Sequence, residues 1–301
     1  MTVEIAGMGA TAAQASQGRW PRASRELLPY LLLAPNVLWM LVFLVGGLIF
    51  LGLVSFRGYV PGGSGIQDTW ELTHYANFLL DAYHMRIMGR SIYISFTTVI
   101  CCLVLAFPLA YLLSELRGTA RAILYICILL PLLTSTVVRT FGWMVLLSSN
   151  GLVNQGLIAI GLVERPIAFM YSDLGIIIAL TEVLLPFMIL AIDAALLNID
   201  RNLYDAARNL GAGAARIFFS ITLPLTVPGI VSGSILVFSL AVSAYVTPDL
   251  IGGPRNPVMA MLIYQQGVSM LNWPFAAAIS FILLALVLLA AAIALRVKVR
   301  I

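Results

Sequence analysis

Ionisable side chains are scarce in this chain of 301 residues: Asp, Glu, Lys and Arg make up 10% of it, whereas 61% of the residues are apolar. The mean hydropathy is +1.01. Soluble globular domains carry roughly 25% charged residues. The composition therefore excludes a soluble fold and indicates an integral membrane protein with one helical membrane domain.

Residues that build metal or disulfide sites are also few. Cys101, Cys102 and Cys127 lie in apolar runs without metal-ligand spacing, so we interpret them as packing residues. His74 and His84 share one polar loop that lacks the Cys and carboxylate ligands of a metal site, and we expect both histidines at the surface. The sequence thus predicts no metal site, no bound cofactor and, without a histidine in the apolar runs, no intramembrane hydrolase.

Lysine occurs once, as Lys298 between two valines. A nucleotide-binding P-loop requires a Gly-Lys-Ser/Thr sequence. The chain is therefore not expected to hydrolyse ATP itself, and any energy from ATP has to come from a partner.

Six apolar runs are long enough to cross a bilayer, which takes about 20 helical residues. They lack the alternation of barrel strands, so they are predicted to be helices. We expect a tail at 1–28, a membrane domain at 29–296 and a C-terminal tail at 297–301. The predicted spans are 30–54, 91–114, 122–147, 173–197, 226–247 and 274–295.

Basic residues are distributed unevenly between the two sides of these spans. Eleven fall on the side that holds both termini, five on the other, and Arg139 lies within a span. The positive-inside rule therefore places both termini and the polar loop 198–225 in the cytoplasm. This distribution accounts for the net charge of +4 without a nucleic-acid partner.

The loop 198–225 contains a short helical pattern with a narrow apolar stripe. Its members lie at i, i+3, i+4 and i+7, and they are Leu203, Ala206, Ala207 and Leu210. Asp200 is placed to cap the first turn, and Gly211 to end the helix in the left-handed conformation. A second helical run follows, and we expect Pro224 to close it. The two alanines would allow another protein to approach the backbone closely, which indicates docking.

The same loop resembles the EAA motif of ABC importer permeases, EAA-x3-G-x9-I-x-L-P. Asp205-Ala206-Ala207 is followed after three residues by Gly211, and after nine more by Ile221-Thr222-Leu223-Pro224. Asp205 replaces the usual Glu with a side chain one methylene shorter. The segments 130–147, 184–200 and 244–254 are similar to the spermidine/putrescine-type branch, whereas span one and the first outer loop fit loosely.

This resemblance implies an all-α, MetI-like permease of the bacterial inner membrane. Its partners would be two cytoplasmic ATPase subunits that bind ATP and Mg, a second permease, either a relative or a copy, and a periplasmic binding protein. The EAA loop would be the coupling helix, so that ATPase closure tilts the bundle in an alternating-access cycle. The implied coupling residues are Leu203, Asp205, Ala206, Ala207, Leu210, Gly211, Ile221, Leu223 and Pro224.

Three ionisable residues lie within the spans, where charges are costly. Arg139 and Glu182 lie about 12 and about 13.5 Å from the outer ends of antiparallel spans, hence at matching depth. They form either a structural ion pair or part of the translocation path. Asp193, eleven residues after Glu182, falls within about 20° of the same helix face. Two acids would favour a cation, which Trp143 or Tyr245 could contact by cation–π interaction.

The cargo implied by the resemblance is a polyamine or related cationic compound, with an opine, an amino-acid derivative or another solute as the alternative. A secondary transporter driven by an ion gradient would also have six spans and buried charges, although it does not need a docking helix. A third hypothesis is that the chain is a scaffold for a signalling complex.

Overall fold

The computed structural model describes residues 22–60 and 66–299. Within this part the chain is almost wholly helical, and it divides into two units, Met1–Leu53 and Val54–Ile301. Five helices are long and apolar enough to cross a membrane, and a bent helix pair supplies a sixth. The six-span, all-α architecture is thus confirmed, with one span broken.

Helix α1, Arg22–Ser55, makes up the described part of the first unit and ends in the second. Its membrane-length segment is Leu33–Ser55, along which nearly all side chains are exposed. Of the predicted tail 1–28, residues 1–21 lie outside the described part, and residues 22–28 have helical backbone.

The outer layer of the second unit begins with a two-stranded antiparallel sheet, β1 (Arg57–Gly58) and β2 (Gln67–Trp70), followed by α2, Thr73–Leu80. The expectation of surface histidines is wrong. His74 is only 8% exposed, and its Nε2 lies 2.9 Å from the Arg57 carbonyl oxygen. The His84 ring stacks on Phe78, because this apolar layer covers the end of the bundle.

Three long helices form the centre of the second unit: α3 (Ala82–Glu115), α7 (Asp173–Leu197) and α10 (Leu223–Val242). Buried apolar side chains from all three helices meet in one cluster. The Gly229-x3-Gly233 pattern packs α10 on α7: a Cβ added at Gly229 would lie 2.5 Å from the Cβ of Ala195. The small residues therefore serve a close helix contact inside the bundle.

The third predicted span, 122–147, is not a single helix. It consists of α4 (Gly118–Leu129) with a 3-10 turn at Leu130–Leu133, and then α5 (Thr136–Leu147), which continues through a turn into α6 (Leu152–Ala159). The two parts meet at an angle of 96°. Pro131 explains the position of the break, because it lacks a backbone N–H and starts the 3-10 turn.

The loop 198–225 contains α8 (Arg201–Asn209). Span five begins earlier than predicted. Helix α9 (Ala214–Ile217) runs through a π-helical turn, Phe218–Thr222, directly into α10. Pro224 therefore does not close a helix. The Leu223 N–H donates to the Phe218 carbonyl, five residues back, and this wider winding accommodates the proline that follows.

The last segments fold against the centre before the final span. A π-turn at Pro248–Gly252, α11 (Met259–Tyr264) and a further π-turn at Gln265–Ser269 lead to α12, Trp273–Val299. The predicted tail 297–301 begins inside α12, and residues 300–301 lie outside the described part. Ile251 and Met259 are fully buried, so this connection is part of the core.

Candidate functional site

Helix α8 is fixed at both ends by the residues that the sequence indicates. The Asp200 carboxylate accepts a hydrogen bond of 3.0 Å from the Asn202 N–H, which caps the first turn. Gly211 has φ +77°, and its N–H donates to the Arg208 carbonyl at 2.9 Å. The Ala212 N–H reaches back to the Ala207 carbonyl at 3.0 Å. Both predicted caps are confirmed, and they give a short, well-defined helix.

The apolar stripe of α8 is not covered within the described chain. Leu203 is 45% exposed and Leu210 is 88% exposed, and no residue of α8 is buried. The helix is held to the bundle by Tyr204 instead, which packs against the central apolar cluster. A helix that packs through its polar face and presents its apolar stripe outward has an unfilled docking surface.

Two clefts flank α8. The first, of about 270 Å³, is lined by Ala207 and Leu210 together with Ile221, so the fold brings the two ends of the EAA-like motif together. The second, of about 330 Å³, is polar and lies between α8 and the inner end of α3. Leu223 and Pro224 lie in the first turn of α10, half-buried.

Asp205 lines the polar cleft and forms an exposed pair with Arg208, at 3.5 Å. Both side chains are 69% exposed. A surface pair of this kind contributes little to stability. The shorter acid is therefore available to a partner.

Arg139 and Glu182 are brought together, as their matching depths predict. The Arg139 Nε lies 3.7 Å from the Glu182 Oε2, and the Trp143 indole N–H donates to the same oxygen at 3.1 Å. The Arg139 Nη1 also donates to the Pro131 carbonyl at 2.7 Å. The Pro131 carbonyl also accepts from the Thr134 N–H at 3.2 Å and from the Thr134 hydroxyl at 2.7 Å, so Arg139 adds a charged donor to a carbonyl at the break. We call Arg139, Trp143 and Glu182 the outer clamp.

Asp193 has a different environment, although it shares a face of α7 with Glu182. Its side chain is 2% exposed and lies 3.2 Å from the Arg121 Nη2. The Tyr125 hydroxyl donates to the same carboxylate. We call Arg121, Tyr125 and Asp193 the inner clamp. The carboxylate of Asp193 is therefore enclosed by Arg121 and Tyr125 in this structure.

Tyr245 stacks on Tyr264, with ring centroids 4.6 Å apart. Tyr245 and Trp143 both pack against the apolar cluster that joins α7 to α11. Three residues of these contacts were not predicted from the sequence as site residues: Tyr264, Arg121 and Tyr125. Tyr264 gives no local signal, but the Arg-x3-aromatic spacing of Arg121 and Tyr125 repeats in Arg139 and Trp143, and it could have indicated the two clamps.

The family model for the binding-protein-dependent transport system inner membrane component matches residues 91–301, more than two thirds of the chain. The chain belongs to this family. It is therefore the permease component of an ABC importer, a non-catalytic inner-membrane subunit that works with ATPase subunits and a periplasmic binding protein. Membership confirms the EAA loop as a feature of the chain and disfavours the ion-driven carrier.

Curated relatives include the spermidine/putrescine transport system permease protein PotB of several bacteria. The protein from Escherichia coli K12 is 33% identical over 220 residues, which cover 73% of this permease and 80% of that protein. The one from Haemophilus influenzae is 33% identical over 242 residues, covering 80% and 84%.

Two solved structures share the fold. A bacterial ABC transporter involved in the import of the acidic polysaccharide alginate aligns with a TM-score of 0.73, at 22% identity, over 92% of this permease and 96% of that chain. The MetNI methionine ABC transporter aligns with a TM-score of 0.55, at 18% identity, over 71% and 93%. At these identities the likeness describes the fold alone.

Proposed function

We propose that this permease imports a polyamine or a closely related amine, from the periplasm to the cytoplasm. The observation that carries the proposal is the partly exposed carboxylate of Glu182 beside the Trp143 ring, inside a span. Carboxylates and aromatic rings are the groups that bind ammonium ions. The relatives named as spermidine/putrescine permeases support the same cargo.

The path for the amine runs past the outer clamp, with Arg139, Trp143 and Glu182 on one side and Tyr245 close by. Tyr264, stacked on Tyr245, extends the aromatic surface. Asp193 lies outside this path because its carboxylate is enclosed.

Coupling takes place through α8. We place the stripe of Leu203, Ala206, Ala207 and Leu210 in a cleft of an ATPase subunit, with Asp205 at its rim. Gly211 fixes the end of the helix, and Ile221, Leu223 and Pro224 fix the start of the following span. Because α8 follows α7 in the chain and leads through α9 and the π-turn into α10, a displacement of the ATPase reaches both central helices.

The complete importer would contain two ATPase subunits, which bind ATP and Mg, and a second permease that is either a relative or a copy of this chain. Both termini and α8 would face the cytoplasm, as the distribution of basic residues predicts. Reporter fusions at each end, read out on both sides of the membrane, test this orientation.

Uptake measurements test the cargo. The permease is expressed with its cognate partners in a bacterial strain without its own polyamine uptake, and the accumulation of radiolabelled putrescine and spermidine is measured. We expect uptake that stops when ATP is depleted while the ion gradient is held. An excess of unlabelled amino acids or opines should not compete. Uptake of those compounds without uptake of either amine would overturn the proposal.

A further inference from the structure

The outer clamp differs from the inner clamp in being incomplete. The Arg139 Nε is buried and has no hydrogen-bond partner among the described residues, since its distance of 3.7 Å from Glu182 exceeds hydrogen-bond length. The Glu182 side chain is 29% exposed. In the inner clamp, by contrast, Asp193 is 2% exposed and accepts hydrogen bonds from both Tyr125 and Arg121.

Each clamp holds one half of the broken span to α7. The inner clamp binds α4 through Arg121 and Tyr125, and the outer clamp binds α5 through Arg139 and Trp143. Arg139 has a second role, because its Nη1 holds the Pro131 carbonyl at the break. The guanidinium of Arg139 therefore links the break to α7.

We propose that Glu182 detects the cationic substrate, by exchanging its ion pair with Arg139 for one with a substrate ammonium group. This inference rests on the proposed amine cargo. The indole N–H of Trp143 keeps the carboxylate in place during the exchange, and Oε1, which has no hydrogen bond among the described residues, receives the ammonium group.

The exchange keeps the carboxylate neutralised at every stage, since one cation replaces another. It frees the guanidinium of Arg139 from α7 but leaves it bonded to the Pro131 carbonyl. The hold of α7 on α5 is then reduced to the hydrogen bond of Trp143 and the apolar packing of Trp143 and Met144, while the enclosed inner clamp keeps α4 in place. Occupation of the path is thereby converted into a change of angle at the break between Leu133 and Thr136.

If Arg139 and the substrate compete for the Glu182 carboxylate, two variants should change binding in opposite directions. A purely structural ion pair does not predict this. Glu182→Gln removes the binding group and should weaken substrate binding at least tenfold. Arg139→Gln removes the competitor and should strengthen it severalfold. If the pair only supported the fold, both variants would change binding in the same direction or not at all.

The measurement is equilibrium binding of radiolabelled putrescine and spermidine to the purified permease–ATPase complex in lipid nanodiscs, without binding protein. Arg90→Gln is the matched control, because it removes a guanidinium that pairs with Asp173 at the outer ends of α3 and α7. The affinity of Arg90→Gln for both amines should equal that of the wild type. This result would exclude a general effect of removing a positive charge.

Arg139→Lys serves if Arg139→Gln does not assemble. A lysine ammonium offers one nitrogen where the guanidinium offers Nη1 to the Pro131 carbonyl and Nε to Glu182. The variant should therefore hold Glu182 less firmly and bind the amines more tightly than the wild type, by a smaller factor. Binding equal to or weaker than that of the wild type overturns the inference. If the wild type takes up neither amine in cells, the proposed cargo is wrong; if it does and the variants shift together, only the exchange at Glu182 is wrong.

Discussion

Glu182 and Asp193 lie eleven residues apart on one face of α7, and each holds one half of the broken third span. The acid in the outer half pairs with Arg139, and the acid in the inner half with Arg121. In both cases an aromatic residue four positions after the arginine donates a hydrogen bond to the same carboxylate. Helix α7 thus determines the shape of the neighbouring third span. The sequence of that span does not form one straight helix.

The inner clamp should contribute to stability. Asp193→Asn keeps an acceptor for the Tyr125 hydroxyl but leaves the Arg121 guanidinium, 24% exposed, without its counter-charge. We expect a loss of about 1–3 kcal/mol, measured as earlier thermal unfolding of the complex in detergent. Asp68→Asn is the control: the Asp68 side chain, paired with Arg57, is fully exposed, and the variant should unfold as the wild type does. If Asp193→Asn and the wild type unfold at the same temperature, the inner clamp does not contribute to stability.

The contact of α10 with α7 should tolerate no added side chain. At Gly229 a Cβ would lie 2.5 Å from the Ala195 Cβ and 2.7 Å from the Ala191 carbonyl oxygen. Gly229→Ala should therefore cost about 1–3 kcal/mol through overpacking, and uptake should fall with it. The control is Gly89→Ala in α3, where an added Cβ meets nothing within 4 Å. Unchanged thermal stability of Gly229→Ala would show that the helices separate easily.

The exposed stripe of α8 should be needed for partner binding and not for folding. Leu210 is 88% exposed, so Leu210→Asp should leave the melting temperature of the isolated permease unchanged. A charge in the docking surface should nevertheless abolish co-purification with the ATPase subunits. Asn209→Asp places the same charge next to the stripe, and we expect it to retain the ATPase. Retention by both variants would exclude this stripe as the contact.

The left-handed conformation at Gly211 should determine how well α8 is formed. Its φ is +77°, and an added Cβ meets nothing within 4 Å, so Gly211→Ala acts through backbone strain alone, about 1–2 kcal/mol. We expect weaker binding of the ATPase subunits in a titration with the purified partner. Gly213→Ala, at φ −72° and with similar space, is the matched control and should bind normally. A similar affinity for both variants would mean that strain at this end is not transmitted to the docking surface.

Features that depend on local chemistry could be predicted from the sequence. The caps at Asp200 and Gly211 follow from side-chain and backbone preferences, and the pairing of Arg139 with Glu182 follows from helix rise. The close packing at Gly229 likewise follows from the absence of a side chain.

Features that depend on tertiary partners could not be predicted. The apolar run 122–147 is long enough for one span, and composition gives no bend angle. At the break, Thr134 and Arg139 both donate to the Pro131 carbonyl, and Arg139 reaches it from the following helix. Similarly, Asp193 is enclosed because Arg121 and Tyr125 meet it from a helix about 70 residues earlier in the chain, a relation that no local pattern contains.

The π-turn at Phe218–Thr222 gives a physical meaning to the fixed gap of nine residues between Gly211 and Ile221. One residue more or fewer in a helix rotates everything beyond it by about 100°. Removing a residue from this turn would restore ordinary α-helical winding and swing α8 around the axis of span five. The spacing of the motif therefore fixes the direction in which α8 faces relative to the axis of span five.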